Sequence, residues 1–174
     1  MEIEKRRKLG ATNKRKGSDC ERKYRLIFRS LGFSKCETSR YANKLYDACK
    51  IDLVNLPFNV QIKAGRQKNM NPGKELHLMY LAIRSGLEDE VLKKPQFLIH
   101  EQETGRGFKR VEEDTKVYFT LRQFNDFKER NSELRYDSLS IYKNQKVVLE
   151  EEFRSIVYVT FEYFKSNILP IIKK

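Results

Sequence analysis

Ile51-Asp52-Leu53-Val54-Asn55-Leu56-Pro57-Phe58-Asn59-Val60-Gln61-Ile62-Lys63 is the stretch on which the fold turns. Residues 51–54 and 58–63 are short runs rich in β-forming residues, and Asn55-Leu56-Pro57 between them is turn chemistry. The two runs are expected to pair as an antiparallel hairpin. Side chains alternate along a strand, so Phe58, Val60 and Ile62 point one way and Asn59, Gln61 and Lys63 the other. With a connection of about four residues, Asp52 falls opposite Gln61 on one face, and Lys63 projects from that face two residues later.

Upstream, Ser18-Asp19-Cys20-Glu21 has the form of a capping box and predicts a helix starting at Ser18. Cys20, Tyr24, Ile27, Phe28 and Leu31 give it a buried stripe, and Gly32 ends it in a left-handed cap. Glu21 lies beside that stripe, at the border between core and cleft. Residues 33–38 form a first strand, and 40–48 fit either a short helix or a loop. Residues 1–16 read as a basic arm, and 17–174 as a single domain.

Downstream, 65–73 is a polar, basic loop. Asn71 caps a helix with Pro72 at its first position, and Leu76, Met79, Tyr80, Ile83 and Leu87 form its buried face. Residues 96–100 and 117–119 are further strands. Thr120 caps a helix bearing Leu121, Phe124 and Phe127. Val157-Tyr158-Val159-Thr160 repeats the strand-cap-helix unit, and the last helix is expected to end near Pro170. The segment 134–153 carries no clear pattern. The fold class is α/β, a mixed central sheet flanked by helices.

The 174 residues carry a net charge of +12, a field that attracts polyanions and makes nucleic acid the expected partner. No apolar run is long enough for a membrane span and no signal-like stretch opens the chain, so a soluble, cytoplasmic protein is expected. Cys20, Cys36 and Cys49 are odd in number and none sits in a CxxC, which predicts reduced thiols, with Cys20 in the core. His77 and His100 do not stand at zinc-ligand spacing from them. Both histidines read as packing or surface residues.

A Glu on a helix, an Asp on one strand and Gln-Ile-Lys on the next suit phosphodiester hydrolysis. That reaction needs a nucleophilic water and neutralisation of charge on the phosphate, and a divalent cation held by carboxylates supplies both. Hard oxygen ligands favour Mg2+ or Mn2+. Glu21, Asp52, Gln61 and the Ile62 carbonyl are the candidate ligands, with Lys63 to orient the water or stabilise developing charge. Asp47 is a possible compensating carboxylate, otherwise a surface residue.

Lys14-Arg15-Lys16-Gly17-Ser18, Glu21-Arg22 and Leu31-Gly32-Phe33, followed by Asp52 and Gln61-Ile62-Lys63, resemble the N-terminal third of archaeal-type Holliday junction resolvases. The resemblance covers about residues 14–64. It implies a PD-(D/E)XK, restriction-endonuclease-like core, metal-dependent cleavage of four-way DNA junctions, and a homodimer. Gln61 stands where the family has Glu, which removes one negative charge from the site. Some nucleases of the superfamily, including a transposition endonuclease subunit, carry Q-x-K and are active. By resemblance Lys14, Arg15, Lys16 and Arg22 engage DNA. Ser39 and Arg40, in the loop after the first strand, are placed to touch a phosphate, and Arg66 and Lys68 follow the active strand directly. The first third fits equally a nuclease of the same fold working in transposition, repair or restriction. Gln61 also leaves open a non-catalytic DNA-binding module.

Overall fold

The computed structural model describes residues 2–65, 70–104, 109–110, 115–143 and 150–173. Helix α1 (Glu2–Ser30) begins at Glu2 rather than at Ser18, so the expected arm is the first half of a helix. Lys and Arg are good helix formers, and Gly10 and Gly17 each cost only about 1 kcal/mol in a helix interior. Ser18 is therefore no cap. Its hydroxyl accepts from Arg40 at 2.6 Å instead. The other end matches expectation: Gly32 has φ +100°. Phe33 N–H donates to Phe28 O at 3.0 Å and Gly32 N–H to Arg29 O at 3.1 Å, the paired bonds of a Schellman cap.

The first strand shrinks to β1 (Glu37–Thr38), and the ambiguous segment folds as α2 (Ser39–Ala42) and α3 (Lys44–Ala48). Strand β2 (Leu53–Val54) pairs with β1, not with the strand that follows. This corrects the expected hairpin. Asn55, at φ +62°, turns the chain away. Among the described residues a single backbone bond, Asp52 N–H to Val60 O at 2.9 Å, joins this segment to β3 (Asn59–Gly65). The next rung is made by a side chain: Ile62 N–H donates to the Asp52 carboxylate at 2.6 Å.

Helix α4 (Pro72–Gly86) and the short α5 (Asp89–Leu92) carry the chain over to β4 (Gln96–Thr104), which lies parallel to β3. Asn71 caps α4 through Lys74 N–H, with Pro72 in its first turn. After the short β5 (Lys109–Arg110) come β6 (Lys116–Thr120), α6 (Leu121–Arg130), β7 (Ser140–Lys143) and β8 (Ser155–Thr160). The sheet order is β3-β4-β6-β8-β7, with β5 attached to β4, and every pairing beyond β3–β4 is antiparallel. Thr120 and Thr160 cap the following helices as the repeated unit predicts. The last helix does not stop near Pro170. It passes from α7 (Phe161–Tyr163) through a wide π turn at Phe164–Ile168 into α8 (Leu169–Lys173). A widened turn is a common way for a helix to accommodate the proline ring.

The sheet is mixed and flanked by helices on both faces. One core gathers Tyr24 and Phe28 of α1 with Val60, Ile62, Phe97, Phe119 and Phe164. Ring centroids there stand 5.4 Å apart for Phe58–Phe97 and 4.9 Å for Phe97–Phe164, edge to face. Such pairs each add roughly 0.5–1.5 kcal/mol beyond area burial. The other core joins Leu76, Met79 and Ile83 of α4 to Ile51, Leu98 and Tyr118. Strand β3 therefore alternates as predicted, with Val60 and Ile62 against α1 and Gln61 opposite Leu98 on the α4 face. Because β3 closes the sheet, one of its sides is free to meet Asp52.

Candidate active site

Asp52 is the best-fixed of the predicted residues. Its N–H donates to Val60 O, its own carbonyl accepts from Ser39 N–H at 2.9 Å, and its carboxylate takes the Ile62 N–H. Burial pushes its carboxyl up to about 7, against the lowering effect of the Ile62 bond. The negative charges of Glu21 and Asp47 push it further up and the positive charge of Lys63 pulls it down, so α1, α3 and β3 all act on it. Among the described residues, no Lys or Arg forms an ion pair with Asp52.

Glu21 follows the buried Cys20 on α1 and is held by the Arg40 guanidinium at 3.3 Å. Burial raises its carboxyl, Arg40 opposes the rise and Asp47 adds to it. Gln61 is buried, and its Oε1 has no hydrogen-bond partner among the described residues. Lys63 meets Glu75 of α4, with Nζ 3.2 Å from the carboxylate. Ile62 sends its N–H toward Asp52. A strand residue's N–H and C=O leave on the same side, so the Ile62 carbonyl opens to the same edge.

The chain matches no protein-family model, no curated protein and no solved structure. The functional reading therefore rests on this geometry.

The other predicted residues fall into three groups. Lys14, Arg15 and Arg22 are exposed on α1, Arg22 beside Asp19 at 3.3 Å, and Lys16 is half-buried. Ser39 and Arg40 are not loop residues open to a phosphate, because both lie in α2. Ser39 is buried and its hydroxyl reaches the Asp47 carboxylate at 3.5 Å, while Arg40 is spent on Ser18 and Glu21. Arg66 and Lys68 lie outside the described residues. His77 stacks near Phe153 with ring centroids 5.0 Å apart, and His100 is buried with Nε2 2.9 Å from Gly65 O. Burial lowers the His100 imidazole below its ordinary value, and it fixes the end of β3 as a packing residue. The three cysteines are buried and outside any disulfide among the described residues, Cys20 in the core as expected. No helix among the described residues is long and apolar enough to cross a membrane.

One member of the site, Glu75, was not anticipated from the sequence. Glu75 sits in the first turn of α4, where an acidic residue is ordinarily explained by the helix dipole. Asp47, read from the sequence as either a compensating carboxylate or a surface residue, is exposed on α3 and acts on both Glu21 and Asp52. The donor set suits a hard cation. It offers a desolvated carboxylate that forms no ion pair among the described residues, an amide oxygen without a partner among them, and a backbone carbonyl on the strand edge. Among the described residues, no three His, Cys, Asp or Glu side chains cluster closely enough to hold an ion by themselves. The amide and carbonyl oxygens, and water, would have to complete the shell.

Proposed function

We propose that this chain is a divalent-cation-dependent DNA nuclease. The observation that carries the reading is the Asp52 carboxylate, desolvated, fixed by the Ile62 N–H, and acted on by the charges of Glu21 and Lys63. Asp52, Gln61, the Ile62 carbonyl and Glu21 would hold Mg2+ or Mn2+. The bound cation supplies an activated water and neutralises charge on the phosphate. Asp52 keeps its orientation through the Ile62 bond, so its second oxygen is presented to the ligand without rotamer loss. Lys63, which meets Glu75, would stabilise developing charge or orient the water. Arg40 must share Glu21 or release it when the site is loaded.

The finer reading is a junction resolvase working as a homodimer. A four-way junction has two-fold symmetry, which a C2 dimer would match with two sites on opposing strands. The net charge of +12 supports a polyanionic substrate. A second reading, a non-catalytic DNA-binding module, is favoured by one observation: Glu21 and Lys63 already have counter-charges in Arg40 and Glu75.

The test is cleavage of a synthetic four-way junction and a linear duplex in Mg2+ or Mn2+, with wild type and Asp52→Asn. Paired symmetric nicks on the junction alone, lost in Asp52→Asn, are expected. Equal cutting of both substrates removes the resolvase reading and leaves the nuclease. No cleavage, together with no calorimetric cation binding in the presence of DNA, leaves only the binding module.

A further inference from the structure

The charges around Asp52 attract a divalent cation only if one more carboxylate is counted with them. Asp52 and Glu21 bring two negative charges when ionised, and Arg40 on Glu21 and Lys63 near Asp52 bring two positive ones. Those four groups leave a cation no net charge to neutralise. Gln61 is an amide and adds none. Asp47 is exposed, so solvent and salt screen it.

Glu75 changes that balance. Beyond Lys63 the chain turns into α4, whose first turn sets Glu75 Oε2 3.2 Å from Lys63 Nζ. That oxygen is closed off from water, and no donor among the described residues meets it in hydrogen-bond geometry. Gln61 Oε1 is in the same condition, on a side chain 4% exposed that projects from the same face of β3 as Lys63. Both oxygens thus belong to neighbours of Lys63, one along the strand and one from the helix. A buried acceptor without a donor is destabilising, and a cation relieves it as well as a donor does. A divalent ion reaches an oxygen at about 2.1 Å, closer than a water molecule at about 2.8 Å, so it suits space that water does not enter.

We propose that Glu75 is a ligand of the divalent cation and supplies from α4 the negative charge that Gln61 does not supply from β3. The inference rests on the cation reading of the site and adds a residue to it. Among the described residues no three acidic, His or Cys side chains converge in the metal-free arrangement, so loading the site turns Glu75 from Lys63 to the ion. The same exchange releases the Lys63 ammonium toward the substrate. Two plainer roles for Glu75, balancing the α4 dipole and neutralising Lys63, involve no contact with the ion.

The experiment measures Mn2+ affinity by calorimetry, without DNA, at about pH 8, where the Asp52 carboxyl is ionised. It uses the full chain as wild type, Asp52→Asn, Glu75→Gln, Gln61→Glu/Glu75→Gln, Lys63→Ala and Lys63→Ala/Glu75→Gln. Glutamine matches glutamate in shape and the Glu75 side chain is 25% exposed, so the fold is kept, which circular dichroism checks. Glu75→Gln is expected to weaken Mn2+ binding about tenfold or more, and adding Gln61→Glu to restore it to within about threefold. The Lys63→Ala background separates a ligand from a counter-charge. There Glu75→Gln is expected to weaken binding about tenfold again, whereas a residue that only neutralises Lys63 would leave it unchanged. No loss in the Lys63→Ala background, or no recovery with Gln61→Glu, overturns the inference. If Asp52→Asn abolishes Mn2+ binding while Glu75→Gln leaves it intact, this inference alone falls. If wild type binds no Mn2+, or Asp52→Asn binds it as well as wild type, the cation site falls and Glu75 as its ligand falls with it.

Discussion

Replacing Asp52 by Asn should stabilise the metal-free protein, and by an amount that depends on pH. The amide oxygen can accept the Ile62 N–H as the carboxylate does, so the substitution removes charge and little else. Asp52 titrates at about 7 when folded, against 3.8 in the unfolded chain. A carboxyl raised on folding contributes stability that is fully present below its unfolded value. That stability is lost as pH rises through the folded one. At 1.36 kcal/mol per pH unit the loss reaches ~4 kcal/mol above neutrality. Partial exposure of the residue screens this toward ~2 kcal/mol. Urea unfolding in EDTA, from about pH 4 to about pH 8.5, compares the two proteins. The variant's advantage should be absent at the acid end, grow through the middle and level off above about pH 7. Added Mg2+ should close the gap by stabilising wild type alone, since a ligand that binds only the folded state adds stability by mass action. A difference that stays flat with pH, or a variant that is less stable throughout, would refute the desolvated carboxylate.

Mg2+ or Mn2+ affinity, followed by calorimetry, should rise up to about tenfold per pH unit and plateau above about 7, because the ion must displace the Asp52 proton. Lys63→Ala should lower the cleavage rate by about a hundredfold or more while leaving cation binding within a few-fold, as expected for a group that acts on the transition state. Glu21→Gln should weaken cation binding and free Arg40, seen as a weaker calorimetric signal with the fold unchanged. Gly32→Ala should cost about 1 kcal/mol or more in urea unfolding. A Cβ there would stand 3.7 Å from Lys173 Nζ, ordinary contact, so the cost comes from the φ of +100° alone.

Features governed by neighbouring residues were legible in the sequence. The alternation of Val60 and Ile62 against Gln61 and Lys63 is a period of two, and the caps at Gly32, Asn71, Thr120 and Thr160 each depend on a few adjacent atoms. Features set by distant partners were not. Whether β2 pairs with β1 or β3 depends on where Glu37 lies, and Arg25 and Arg29 of α1 hold that residue at 2.7 Å each. Ser18 has the local pattern of a cap, but helix propensity upstream and Arg40 from α2 override it. Arg40 reads as a free cation until Glu21, 19 positions away, is seen against it. Glu75 shows its second role only where α4 brings it to Lys63.

The end of α1 has a consequence for how this chain is made. Lys173 Nζ donates to Leu31 O at 2.6 Å across a separation of 142 residues, and Phe161 covers Tyr24 with ring centroids 5.3 Å apart. During synthesis the helix bearing Glu21 therefore waits for sealing groups made up to 142 residues later. A nascent chain can bring Arg40 to Glu21 early, but Tyr24 and the Leu31 carbonyl of the same helix stay uncovered until Phe161 and Lys173 dock.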